Sequence, residues 1–238
     1  MVSNVQQTVR ELALQVQGAT RVFERAGIDY CCGGGRTLLD ACGVAGVSPD
    51  EMLSALRSLE ERPAGAELEF TTMSLTELAG HIVETHHLFT TLELARLGHL
   101  LDKVRSKHER NHPEVADVAS AFARLRADLI PHMFREEKVL FPYIVAMDAA
   151  KRTGGKAPVP PFGTVRNPIR TMMAEHETAG DLLAELRAAT AGFAPPPDAC
   201  MTFRALYDGL HDLEKDLHQH IHLENNILFP RAAELETE

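Results

Sequence analysis

Two stretches of this chain set metal-ligating residue types at a spacing a helix can use. Residues 132–142 read His-Met-Phe-Arg-Glu-Glu-Lys-Val-Leu-Phe-Pro and residues 220–230 read His-Ile-His-Leu-Glu-Asn-Asn-Ile-Leu-Phe-Pro, so both follow the frame His-x3-Glu-x3-Leu-Phe-Pro. On a helix, residues i and i+4 lie one turn apart on one face, and an imidazole and a carboxylate placed there reach one ion. On a strand the same two side chains would stand about 13 Å apart. The repeat therefore predicts two helices that each carry a ligand pair, His132 with Glu136 and His220 with Glu224.

The rest of the pattern says where those pairs point. A helix packed in a bundle shows apolar residues at alternating steps of three and four. Phe203, Leu206, Leu210, Leu213, Leu217, His220, Glu224 and Ile227 keep that alternation, and so do Val118, Phe122, Leu125, Leu129, His132, Glu136 and Val139. Both polar pairs thus fall on core positions, where imidazole and carboxylate are costly unless paired or bound to metal.

Two further helices should complete the ligand set. One holds Ile169, Met173, His176, Gly180 and Leu183 in its seam; the other offers the neighbours His86 and His87. The seam through His87 continues as Leu94, Leu97 and Leu101, whereas that through His86 continues as Glu93 and Arg96, which selects His87. A lone core histidine is usually structural, and it is the matched repeat that turns these two into ligands. Four imidazoles and two carboxylates on converging helices suit two ions with the carboxylates bridging. Nitrogen and oxygen ligands without thiolate favour iron, with manganese or zinc as the lesser alternatives.

These ligands need an all-α frame. A capping pattern at Ser74 and Glu77 starts a helix to about Lys107, and His112-Pro113 starts the helix through the first repeat. The Gly- and Pro-rich loop Lys151 to Thr164 leads to a third helix opened by Asn167-Pro168, and Pro195-Pro196-Pro197 precedes the fourth. Together they read as a four-helix bundle over residues 72–238. Pro131 removes a helical hydrogen bond just before His132 and is expected to kink that helix. Before the bundle, residues 1–65 read as a small helical domain: one amphipathic helix from about Thr8 to Arg25, a short helix at Thr37 to Cys42, and a third begun by Ser48-Pro49, with Arg62-Pro63-Ala64-Gly65 closing it.

Lys plus Arg number 24 against 34 Asp plus Glu, a net charge of −10 that argues against nucleic acid and anionic membrane as partners. No signal segment or membrane span is read, so a cytoplasmic protein is expected. Cys31 and Cys32 are adjacent, a spacing poorly suited to chelating one ion or closing an unstrained disulfide. Sitting in a Gly-rich turn before a helix, they read either as thiols reactive toward oxidants and nitrosating species or as packed residues of a tight turn. Glu137 and Glu175 read as a solvated face, and His81, His99, His108, His112, His211, His218 and His222 as mostly solvated or supporting histidines.

Taken together, several segments resemble the Repair of Iron Centres family, hemerythrin-like di-iron proteins with an N-terminal cysteine-pair domain. They are Asp29-Tyr30-Cys31-Cys32-Gly33-Gly34 with Thr37-Leu38, His81-Ile82-Val83 leading to His87, His132 to Pro142, Glu175-His176-Glu177 with Ala179-Gly180, Pro195-Pro196-Pro197 before Ala199-Cys200, and His220 to Pro230. The resemblance implies a hemerythrin-like bundle and two iron ions, with an oxo or hydroxo bridge, held by His87, His132, Glu136, His176, His220 and Glu224. It implies repair of iron–sulfur clusters damaged by nitric oxide or peroxide, by supplying iron, with the damaged iron–sulfur proteins as partners and Cys31 and Cys32 as candidate redox or iron-transfer thiols. An O2- or NO-binding module, or nitrite or NO reduction at the di-iron pair, stays open as the alternative. The sequence assigns no catalytic residue, and it leaves both enzymatic activity and homodimerisation undecided.

Overall fold

The computed structural model describes residues 4–31, 33–60 and 70–237. Two compact units are formed by residues 1–74 with 218–231 and by residues 75–217 with 232–238. Among the described residues there is no strand, only an isolated bridge between Thr8 and Thr37.

In the first unit, α1 (Val9–Gln15) starts from a reciprocal cap: the Glu11 amide donates to Thr8 Oγ1 at 3.2 Å, and the Thr8 amide donates to Glu11 Oε2 at 2.8 Å. The expected single helix from Thr8 to Arg25 is in fact two. Gly18 adopts φ +80°, a left-handed conformation that costs glycine little, and α2 (Ala19–Ala26) begins after it. Thr37 caps α3 (Leu38–Ala45), and α4 (Pro49–Glu60) has its proline in the first position. Val9, Leu12, Phe23, Tyr30, Leu38 and Leu56 bury the apolar faces of these helices in one cluster. The expected closing turn Arg62 to Gly65, like Cys32, lies outside the described residues.

Four helical paths follow. The first joins α5 (Leu75–His81) to α6 (Leu88–His108) through a π-helical turn, Ile82–His87. The second joins α7 (Glu114–Arg135) to α8 (Phe141–Thr153) through a π turn, Glu136–Leu140. The third is α9 (Arg166–Ala189). The fourth joins α10 (Met201–Leu223) to α11 (Phe229–Leu235) through a π turn, Glu224–Leu228. Leu97 and Leu101 of α6, Phe122 and Leu125 of α7, Leu182 and Leu186 of α9, and Leu206 and Leu213 of α10 share one buried core, the burial that makes a bundle of amphipathic helices. No described helix is long and apolar enough to cross a membrane.

The Leu-Phe-Pro ends of the repeat account for two of the π turns. Pro142 and Pro230 have no N–H to donate four residues back, so an unbroken α ladder would leave a carbonyl without its partner. Instead Phe141 N–H donates to Glu136 C=O, and Phe229 N–H to Glu224 C=O, five residues back. Each proline then stands second in a new α segment, where its missing donor matters little. Pro131 lies inside α7, which runs on to Arg135 without the hydrogen bond that a proline cannot donate.

Candidate metal centre

Each π turn borders a predicted ligand. His87 ends the first, Glu136 begins the second and Glu224 begins the third. Such a turn inserts one residue into the helix and re-aims the side chains beside it, and it is frequent at functional sites.

The six expected ligands fall into two groups. Donor atoms of His87, Glu136, His220 and Glu224 lie within 4.8 Å of one another, and so do those of His132, Glu136, His176 and Glu224. Glu136 and Glu224 belong to both. None of the six residues is more than 2% exposed. Nε2 of His87 is 3.4 Å from Glu136 Oε2, Nε2 of His132 is 3.3 Å from the same oxygen, and Nε2 of His220 is 3.1 Å from Glu224 Oε1. The Nε2 atoms of His132 and His176 face each other at 3.0 Å. Donors about 2.1 Å from one ion are spaced about 3.0 Å apart at right angles and about 3.4 Å apart tetrahedrally, so these separations fit cation coordination. The chemistry of the set fits too, since two buried carboxylates would offset half the charge of two divalent ions.

Outer carboxylates orient two of the imidazoles. His132 Nδ1 donates to Glu175 Oε2 at 2.7 Å, and His87 Nδ1 to Glu137 Oε1 at 3.0 Å. A carboxylate can only accept, so the proton sits on Nδ1 and the Nε2 lone pair is left for an ion. Burial alone would raise the Glu175 carboxyl; hydrogen bonds from His132 and Arg135 outweigh it and hold the group below the usual carboxylate range. His87 also stacks on Phe141, centroids 5.7 Å apart. His86, the neighbour passed over in the seam, pairs instead with Asp216 Oδ1 at 2.9 Å.

Glu137, Glu175 and Asp216 are what the sequence reading overlooked. The available signal was chemical: a ligating histidine wants a carboxylate on its other nitrogen. Position in the chain misleads, because Glu175 adjoins His176 yet serves His132. His222 and His112, read as solvated or supporting, are buried at 5% and 9% exposure.

The cysteine segment folds around Asp29. Its carboxylate accepts from Cys31 N–H at 2.9 Å, from the Cys31 thiol at 3.2 Å and from Gly33 N–H at 2.7 Å. Gly34 is required, because a Cβ there would lie 2.7 Å from the Tyr30 carbonyl oxygen. Cys31 is buried at 2% exposure.

Known proteins share both parts of the chain. Residues 78–232 match the family described as Hemerythrin HHE cation binding domain, and residues 5–60 match a domain of unknown function, DUF542. The iron–sulfur cluster repair protein YtfE of Cronobacter sakazakii is 35% identical over 226 residues, covering 95% of this chain and 96% of that protein. Proteins of the same name from Citrobacter koseri and Escherichia coli O81 are each 34% identical over the same shares of both chains.

Proposed function

We propose, for a chain that belongs to the hemerythrin-like iron–sulfur cluster repair proteins, that it holds two iron ions and supplies iron to clusters damaged by nitric oxide or peroxide. The observation that carries this reading is the sharing of Glu136 and Glu224 by two four-residue donor groups. His87 and His220 would complete the set around one ion, and His132 and His176 the set around the other, with both glutamates bridging. An oxo or hydroxo bridge would balance remaining charge, and the nitrogen and oxygen donors favour iron over manganese or zinc. Bound there, iron would supply redox chemistry and affinity for small oxidants. Glu137 and Glu175 keep His87 and His132 in the tautomer and orientation that accept it. Partners on this reading are damaged iron–sulfur proteins and NO, peroxide or O2, in the cytoplasm, with a homodimer as the assembly to look for.

Repair is tested by mixing the iron-loaded protein, without oxygen, with an iron–sulfur enzyme inactivated by nitric oxide. Recovery of that enzyme's activity, with iron lost from the repair protein in step, is the expected result. Recovery no better than with free ferrous iron would sink the reading.

A second reading draws on burial. Ligands at most 2% exposed suit iron that is kept, as in an O2- or NO-binding module or a centre reducing nitrite or NO. Reversible oxygenation, or turnover of nitrite with a chemical reductant, and no iron transfer would select it.

We further propose that residues 1–65 and 72–238 are separate domains, a division supported by family matches that end at residue 60 and begin at residue 78. Residues 72–238 made alone should then melt cooperatively and retain iron; loss of all metal binding would refute the boundary.

A further inference from the structure

At a turn away from the paired glutamates, four ligand-type side chains of another chemistry gather. His108 is the last residue of α6 and His112 follows it in the connection to α7; Asp198 and Cys200 lie in the connection that opens α10. The motifs are His-x3-His and Asp-x-Cys. The His112 amide donates to the His108 carbonyl at 2.8 Å, so the i, i+4 relation of the two imidazoles survives the end of the helix.

We propose that His108, His112, Asp198 and Cys200 form a second cation site, of the zinc class. Thiolate, imidazole and carboxylate together are a borderline-soft donor set, unlike the purely nitrogen and oxygen set of the di-iron ligands. Two edges of the coordination tetrahedron are already close to length. Cys200 Sγ lies 3.3 Å from His108 Nε2, and His112 Nε2 lies 3.2 Å from Asp198 Oδ2. Tetrahedral zinc spaces sulfur and nitrogen donors about 3.6 Å apart and nitrogen and oxygen donors about 3.4 Å apart.

The two pairs are held near each other by what surrounds them. Both rings pack on Phe203, with centroids 5.4 Å away for His108 and 5.3 Å for His112, and Phe203 itself is fully buried. The two imidazole centroids are 6.2 Å apart, against about 5.2 Å for two Nε2 ligands of one tetrahedral ion. The four donors form two pairs rather than one converged group, so binding requires the exposed Asp198 and Cys200 side chains to swing and the two rings to close by about 1 Å. His112 Nδ1 pairs with Glu114 Oε1 at 3.1 Å, the outer carboxylate expected behind a zinc-bound imidazole. On binding, the Cys200 S–H bond breaks, sulfur bonds to the cation, and the proton passes to solvent. One thiolate and one carboxylate offset the divalent charge. The ion would tie the end of α6 to the start of α10.

The test is alkylation of Cys200 by iodoacetamide in the full-length, iron-loaded protein, followed by peptide mass spectrometry with and without Zn2+. Zinc should slow modification of Cys200 at least tenfold. That protection should persist in His132→Ala, which disables the di-iron ligands, and disappear in both His108→Ala and Asp198→Asn; the latter alters only an exposed side chain and leaves packing intact. Equal modification with and without zinc in the wild type, or protection that persists in either of the last two variants, would overturn the assignment. Co2+ provides a second readout: a thiolate-to-cobalt charge-transfer band that is present in the wild type and absent in Cys200→Ser. A band unchanged by Cys200→Ser would also overturn it.

Discussion

In the first His-x3-Glu copy Phe134, Lys138 and Val139 face solvent, whereas every residue from His220 to Phe229 of the second copy is buried. The ligand frame is the same in both, so the difference lies on the outward face. Where the first copy has Phe134, Lys138 and Val139, the second has His222, Asn226 and Ile227, and two of these meet the N-terminal segment. His222 lies edge-on to the ring of Tyr30, centroids 5.4 Å apart, and Asn226 Nδ2 donates to the Tyr30 carbonyl at 3.1 Å and meets His222 Nδ1 at 2.8 Å. Burial of His222 lowers its pKa to about 4, with the Arg10 charge adding to the effect, so it is neutral at physiological pH. One helical frame thus serves two duties. Its inward residues supply the shared donor groups in both copies, and its outward residues decide that only the second copy receives the cysteine-bearing segment.

That comparison can be broken from either side. The inward face is broken by Glu136→Ala with Glu224→Ala, which removes both shared carboxylates; iron per chain after anaerobic loading should fall more than tenfold while helical circular dichroism persists. Next in size is the exchange His222→Phe with Asn226→Lys, which gives the second copy the outer face of the first. Burying a lysine without a partner should cost about 3 kcal/mol in a urea melt. Glu175→Gln weakens the acceptor on His132 Nδ1, and a titration should show iron affinity lowered roughly 10- to 100-fold. Tyr30→Phe deletes the hydroxyl that donates to Glu24 at 2.8 Å and should lower stability by about 1 kcal/mol. Smallest is the reciprocal exchange Phe134→His with Lys138→Asn on the solvated copy, which should leave the melt within about 0.5 kcal/mol of wild type. If the two exchanges proved equally costly, the outward positions would not be what distinguishes the copies.

Periodicity carried much of the architecture into plain view. Steps of three and four residues are a direct imprint of helix packing, so Leu210, Leu213 and Leu217 located the core side of α10, and His220 and Glu224 followed by continuation. The break at Gly18 was harder to read, because Val16, Ala19 and Val22 keep helical spacing across it; one left-handed residue ends a helix without disturbing the apolar count. The π turns were hidden for a similar reason. A proline two residues beyond Leu140 or Leu228 says that a donor is missing, but whether the helix stops or widens depends on what its neighbours pack against.

By itself, then, the chain determined which residues face inward as far as Glu136 and Glu224 and which of them are metal-ligand types, since both follow from side-chain chemistry and a local period; Val139, in step with the same seam, is turned to solvent within the π turn. Only the tertiary structure decided that Glu137 and Glu175 orient His87 and His132, that His87 groups with His220 and His132 with His176, and that Tyr30 covers His222. Those relations join residues distant in sequence through a few ångströms of space, and no local period records them.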